Sequence, residues 1–232
     1  MSKSNALETA LLNLYFLNTN HANVGDATGL RGSTVAGSYY LALHTADPGE
    51  AGNQGTNEVT YTGYARVAVA RSGSGFSVAG SALSLVANAD FGQATAGSFP
   101  IGAYFWSLGV AASGATEMEY SGPLVPSGAS FLPFTAVAST DIITIPGHAF
   151  SVNDNCAFFA LEGGSLPTGI TEGTVYFIKT VSGQTVTIST TLAGATLDIT
   201  ADGAGLGIKI SPITINLNTI PRLTSGTILR EG

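Results

Sequence analysis

The chain has 232 residues and a net charge of −7. Only 10% of its residues are charged, against about 25% in an ordinary soluble domain. The basic residues are scattered singly between Lys3 and Arg230, which excludes the cationic cluster that nucleic-acid binding requires. No apolar stretch reaches the roughly 18 residues of a membrane-spanning helix.

The small number of charged residues also indicates whether the protein binds other subunits. A protein that is soluble alone usually carries mixed charges on its surface, so a scarcely charged surface indicates burial against other subunits. We therefore expect an oligomer or a lattice-bound protein. The alternative is a protein without partners whose exterior is polar but carries few charges. The N-terminus lacks the charged and apolar regions of a signal peptide, so assembly in the cytoplasm is expected.

The first predicted element is a helix after Ser4, a suitable N-cap. Glu8 in its first turn complements the helix dipole, and the polar residues 18–20 predict its end. Apolar residues recur at spacings of three and four on one face: Leu7, Ala10, Leu11, Leu14 and Leu17. We expect Leu7, Leu11 and Leu14 to pack against a sheet or a neighbouring subunit, because a helix of this length is marginal alone.

A glycine-containing loop is predicted at residues 24–37, and β-strands follow it. The strands are expected at 38–44, 64–70, 75–78, 82–86, 101–108, 116–120, 142–145, 175–180, 185–189, 197–200, 207–210 and 213–217. A hairpin is expected around 182–184. Strands at intervals of about ten residues predict an all-β fold, a β-sandwich or open barrel, with one N-terminal helix.

The first strand ends at His44, and a turn begins at Asp47. This pair could face a metal ion, but a transition-metal site needs a further ligand and no second His lies nearby. The alternative is structural, with the Asp47 side chain bonded to the backbone of its own Asp-Pro-Gly turn. We expect no metal site and no cofactor.

The predicted strand at 101–108 contains three consecutive aromatic residues. Alternation along a strand would place Tyr104 and Trp106 on one face and Phe105 on the other. Aromatic faces can stack on sugar rings, or they can fill the core of a sandwich, and the core is the more economical interpretation. On the other alternative, Tyr104 and Trp106 are candidate interface residues.

The sequence contains no convincing catalytic constellation. Glu117 and Glu119 alternate along one strand, and glycosidases use paired carboxylates, but no further acid, base or aromatic platform accompanies them. The Ser-Gly-Ser-Gly at 72–75 lies between two strands rather than at a strand-to-helix elbow. Cys156 lies in an apolar run, as expected of a buried thiol. We expect a protein that is not an enzyme.

Two segments, at 41–52 (LALHTADPGEAG) and 60–69 (TYTGYARVAV), resemble a family of small bacteriophage virion structural proteins, often labelled tail-fibre proteins. The resemblance includes the helix at 4–12 and the segment 221–224, and covers residues 1–130 and 212–232. It implies a virion protein that contacts other virion subunits, either as capsid decoration or cement or as part of the tail-fibre apparatus.

Residues 131–211 depart from that pattern. Segments 145–154 and 166–177 resemble a small β module of phage fibre and particle-surface proteins. We therefore expect a main β-sandwich domain formed by 1–130 and 212–232, with an inserted β domain at 131–211. The alternative function is a host-recognition module that binds a cell-surface glycan through this inserted domain.

Overall fold

A computed structural model describes residues 3–22, 24–25 and 29–230. The predicted loop at 24–37 lies partly outside the described residues. The helix α1 spans Asn5–Phe16. The strands are β1 Ser38–His44, β2 Val67–Ala70, β3 Phe76–Ala79, β4 Ala82–Leu85, β5 Ala89–Asp90, β6 Ile101–Ala103, β7 Phe105–Gly109, β8 Met118–Pro123, β9 Leu132–Val137, β10 Ile142–Thr144, β11 Asn155–Phe159, β12 Tyr176–Ser182, β13 Thr185–Ser189, β14 Gly203–Ile210, β15 Ile213–Ile215, β16 Arg222–Leu223 and β17 Thr227–Arg230.

The predicted all-β class with an N-terminal helix is confirmed. The hairpin is also confirmed, because β12 and β13 pair from Ser182 opposite Thr185. The predicted strand at 197–200 is wrong. There the backbone N–H groups of Leu197, Ile199 and Thr200 bond three unrelated partners, namely the carbonyls of Ile188 and Thr168 and a carboxylate oxygen of Asp141. The segment is therefore extended without joining a ladder.

The helix begins as predicted, since the Ser4 hydroxyl accepts a hydrogen bond from the Leu7 N–H. Its buried residues are Glu8, Leu12 and Phe16, and Phe16 packs against the rings of Tyr39, Phe76 and Tyr120. Leu7 and Leu11 remain 37% exposed, and Leu14 is half-buried. Within this chain the helix is therefore packed mainly by Leu12 and Phe16, and not by Leu7 and Leu11 as one of the two alternatives expected. The alternative of a neighbouring subunit stays a prediction.

Two sheets share the main hydrophobic core. One has the strand order β2-β1-β7-β8 and the other β17-β4-β3. Leu41, Leu43 and Leu108 from the first sheet meet Phe76 and Leu83 from the second, all at most 1% exposed. The late strands β15, β16 and β17 return to pair with β6, β5 and β4. Both ends of the chain therefore contribute to one core.

A closed barrel forms between these two parts of the chain, with the strand order β10-β13-β12-β11-β14-β9. It encloses a separate core that includes Phe134, Ile143, Phe158 and Ile178. Cys156 lies in this core as a free, fully buried thiol, as predicted. Burial raises the pKa of this thiol and so disfavours the reactive thiolate.

The barrel and the rest of the chain, here called the main region, meet at a small third hydrophobic cluster, the junction cluster, which contains Phe105, Ala157 and Ile210. Phe105 of β7 packs with Ala157 and Ile210 on the outer face of the barrel, and each of the three is at most 2% exposed. Beside them, the Ser211 N–H donates to the Leu124 carbonyl over 2.7 Å. A buried apolar contact of this kind fixes the position of the barrel on the main region.

Candidate functional site

The strongest polar constellation is a buried ion pair at one end of the main sheet. Arg66 Nε and Nη2 donate to the two carboxylate oxygens of Glu58, each over 2.8 Å, and the Arg66 side chain is 2% exposed. Its remaining donors bond Gln54, Thr116 and the carbonyls of the 110–117 loop. The guanidinium therefore ties three segments together, and its role is structural.

His44 and Asp47 follow the structural alternative. The His44 Nδ1–H faces the Thr56 carbonyl at 2.8 Å, so Nε2 accepts from the Ser107 hydroxyl at 2.7 Å. Asp47 Oδ1 accepts from the Gly49 N–H within its own turn. Across the described ranges, no group of three or more His, Cys, Asp or Glu is placed to hold a metal ion.

His44 predicts a pH dependence of stability. Burial lowers its pKa, outweighing the opposing hydrogen bond to Thr56 and the charge of Glu58. The unfolded chain therefore binds a proton that the folded chain binds more weakly, so the free energy of unfolding falls as the pH drops below about 6.5. The slope reaches at most about 1.4 kcal/mol per pH unit.

Urea unfolding between about pH 7 and pH 5 measures this effect, since ordinary carboxylates titrate below that range. In His44→Asn the amide can replace the bond to Thr56, and we expect the slope in this window to disappear. An unchanged slope would assign the pH dependence to other groups.

The three consecutive aromatic residues do not share faces as predicted. Trp106 is 8% exposed in the main core, and Phe105 lies in the junction cluster. Tyr104 is partly buried against that same junction cluster. The regular alternation fails because β6 ends at Ala103 and β7 begins only at Phe105. Trp106 is thus a core residue, whereas Tyr104 borders the junction.

Glu117 and Glu119 lie in different environments. Glu119 accepts a hydrogen bond from the Tyr15 hydroxyl of the helix, while Glu117 lies on the exposed side of the loop before β8. Burial and, after it, this hydrogen bond raise the pKa of Tyr15. The Tyr15–Glu119 contact therefore attaches the helix to the edge strand of the main sheet.

Arg71 holds the C-terminal end of the helix, where the last turn has no basic residue of its own. Its guanidinium donates to the Leu14 carbonyl over 2.7 Å and also to the Tyr15 carbonyl. A cation at this end complements the negative end of the helix dipole. The exposed face with Leu7 and Leu11 is therefore presented by a helix whose C-terminal end is fixed.

A cleft of about 600 Å³ opens between the Asp47 turn, β8 and the barrel. Asp47 also lies against the barrel at Gly173. The approach is so close that a β-carbon at position 173 would lie 2.2 Å from the Asp47 Oδ2 atom. Gly173 has a φ of +66°, so a side chain here is disfavoured twice. Phe131, Phe159 and Glu172 supply the barrel side of the cleft.

Sequence reasoning missed most of these residues. Arg66 lies beside an alternating apolar strand, and a charged residue in such a place signals a buried partner. Its partner Glu58 lies in a loop that no local pattern marks. Phe131 and Glu172 are far from Asp47 in sequence, so only the packing of the barrel brings them to one cleft.

Comparisons with known proteins give one match. The model of a family described as "Podophage GP4 fiber I protein gp80" matches residues 2–128. No curated protein and no solved structure matches significantly. Among the residues that the structure describes, no helix is both long and apolar enough to cross a membrane. The matched range includes α1 and β1–β8 and ends before the barrel.

Proposed function

Since this chain belongs to the podophage GP4 fiber I protein gp80 family, a family of phage structural proteins associated with the virion, we propose that it is a non-enzymatic part of the tail-fibre apparatus. The observation that carries the proposal is the extent of the match, which contains the helix and the main sheet but not the barrel. A role common to the family must reside in the matched range. Attachment to the particle is the role that fits this range best.

The helix supplies the attachment surface. Leu7 and Leu11 are exposed apolar side chains on a face that the described residues leave partly uncovered, and Arg71 and Glu119 hold the C-terminal end of the helix in place. Rigid presentation reduces the entropy lost on binding. The low charge of the chain, 10% of its residues, accords with interfaces built from apolar and neutral polar groups.

A substitution on this face tests the attachment. Leu11→Gln keeps a good helix former but replaces the exposed apolar group, so we expect a folded protein that joins particles several-fold less efficiently. Leu192→Gln is the matched control, because Leu192 is 60% exposed in a barrel loop outside the matched range. Complementation of phage lacking the native gene, followed by quantification of the protein in purified particles, measures both.

Equal incorporation of the two variants would contradict attachment through the helix. Electron cryomicroscopy of the same particles locates the protein. Density at the tail supports the fibre apparatus, whereas density repeated over the head, with a copy number that matches the capsid subunits, would show capsid decoration or cement instead.

The barrel is proposed to be an inserted domain with the boundaries 131–211. It has its own core, and its first and last strands, β9 and β14, pair with Leu132 opposite Gly207. The chain therefore enters and leaves the barrel at neighbouring points. Such an arrangement allows insertion into a surface loop at little cost to the host domain.

Deletion tests the domain proposal. We expect a variant with a short Gly/Ser linker in place of 134–210 to keep the main region folded and incorporated into particles. The deletion removes Ala157 and Ile210 and so exposes the apolar ring of Phe105. A second form of the deletion variant that also contains Phe105→Ser controls for this exposure. Limited proteolysis measures folding. An unfolded product in both forms would mean that the two cores are interdependent.

A further inference from the structure

The cleft between the main region and the barrel has no role in the proposed attachment, since the helix contributes no residue to it. Its volume of about 600 Å³ is sufficient for a long side chain of a partner. Four apolar side chains form its walls, Phe105 and Pro123 from the main region and Phe131 and Phe159 from the barrel. The cleft therefore exists only when the two parts of the chain are packed together.

The Phe131 ring is the exposed part of these walls. It is 44% exposed, although a ring of this size is usually buried. An edge-to-face contact with Phe159 supports it, with the ring centroids 5.4 Å apart and the planes at 86°. Phe159 packs in turn against the junction cluster. The Phe131 ring is therefore held in place, and part of its surface remains available to a partner.

Carboxylates are concentrated around these apolar walls. Asp47, Glu50 and Glu172 are three of the ten described lining residues, whereas only 15 of the 232 residues of the chain are acidic. None of the described lining residues is Lys, Arg or His. Glu172 Oε1 accepts from the Ala160 N–H over 3.2 Å. Asp47 Oδ1 accepts from the Gly49 N–H over 2.9 Å. Both carboxylates are oriented and keep further acceptor capacity, so the matching partner is a cation that donates hydrogen bonds.

The combination of ring and carboxylates distinguishes between cations. A metal ion does not fit, because no group of three or more His, Cys, Asp or Glu within the described part of the chain is placed to hold one. A lysine ammonium is a compact, strongly hydrated charge that gains little from a flat ring. An arginine guanidinium is planar, so it can stack on an aromatic face and donate to carboxylates in the same pose.

We propose that this cleft docks an arginine side chain of a partner protein. The guanidinium stacks on the Phe131 ring and donates to the carboxylates of Glu50 and Glu172, which line the same cleft. The junction cluster holds the barrel side against the main region before the partner arrives. A site that is already formed loses little entropy on binding.

A different protein is a better source of this arginine than a second copy of the chain. Arg66 is buried against Glu58. Arg71 bonds the end of the helix, and Arg222 is paired with Asp90. These three guanidinium groups would have to leave contacts within their own chain before they could enter the cleft of another copy.

NMR titration of the isotopically labelled full-length protein tests the proposal, with a blocked pentapeptide of one arginine flanked by glycines as the probe. Two matched peptides replace the arginine by lysine or by citrulline, which keeps the shape of arginine without its charge. We expect shifts at the cleft signals with a Kd on the order of 1 mM for the arginine peptide. Binding should be several-fold weaker for lysine and weaker still for citrulline.

Variants of the cleft identify the groups that bind. Glu172→Gln keeps an oxygen for the Ala160 N–H and should weaken binding of the arginine peptide about five-fold. Phe131→Leu keeps an apolar wall without an aromatic face, so the preference for arginine over lysine should disappear. Glu117→Gln is the matched control, because it also removes one exposed carboxylate but does not line the cleft. It should leave binding unchanged.

Equal binding of the arginine peptide and either matched peptide would overturn the proposal, as would binding that neither Glu172→Gln nor Phe131→Leu changes. Shifts at the cleft signals on concentrating the protein alone would assign the cleft to a second copy of this chain and would also overturn it. The measurement uses free protein, so its failure leaves the incorporation experiments on the helix face unaffected.

Discussion

We expect Arg66→Met to lower the free energy of unfolding by about 3–5 kcal/mol, the usual cost of removing one partner from a buried ion pair. Met fills much of the space that the aliphatic part of the Arg66 side chain occupies, so the loss of stability is chiefly electrostatic. The substitution leaves the Glu58 carboxylate, 17% exposed, without its bidentate partner. It also leaves the Gly114 and Ala111 carbonyls without their donor.

Arg222→Met is the matched control, because Arg222 also forms a two-point contact with a carboxylate, that of Asp90. Its side chain and that of Asp90 are 54% and 45% exposed, and water replaces the lost partner at such a site. We therefore expect a much smaller change in stability. Urea unfolding of both variants at neutral pH measures the difference.

A second substitution separates the charge from the packing. In the double variant Arg66→Met, Glu58→Gln the buried site no longer contains an unpaired charge, so part of the loss should be recovered. If Arg66→Met were no more destabilising than Arg222→Met, the Arg66–Glu58 pair would be solvated rather than buried.

The second large effect concerns two adjacent leucines of the helix. We expect Leu12→Ala to cost about 2–5 kcal/mol, as for a buried leucine truncated in a packed core. Leu12 is 2% exposed, whereas Leu11 is 37% exposed. Leu11→Ala should therefore change the stability by less than about 1 kcal/mol, since Ala is the better helix former and little buried surface is lost.

Chemical denaturation of the isolated protein measures both variants. The comparison is well matched, because both substitutions remove the same atoms from the same helix. Equal losses would mean that the face with Leu11 packs inside this chain, and the attachment surface would then have to be sought elsewhere.

The sequence predicted the elements that depend on neighbouring residues. The Ser4 N-cap, the strand Ser38–His44 and the hairpin around Gly183 were all confirmed. Each depends on capping, on β-branched and aromatic enrichment or on turn chemistry, which act over a few residues. Strand β9, with Pro133 in its sequence, was missed because proline weakens that local signal.

The buried face of the helix could not be predicted in the same way. Apolar residues cover more than one side of residues 7–17, so the spacing that selected Leu7, Leu11 and Leu14 fits Leu12 and Phe16 at spacing four as well. The ring cluster of Tyr39, Phe76 and Tyr120 decides between the faces, because it surrounds Phe16. That cluster joins residues far apart in the chain.

The sequence by itself determined the all-β class, the helix start and the scarcity of charge, because composition and short-range periodicity are properties of the chain before it folds. Only the tertiary structure decided that Arg66 meets Glu58, that Arg71 holds the helix end, and that Phe131 shares a cleft with the Asp47 turn. Those contacts exist only after the strands have closed two cores and packed one against the other, since pairing over such separations follows from the global arrangement and leaves no local pattern.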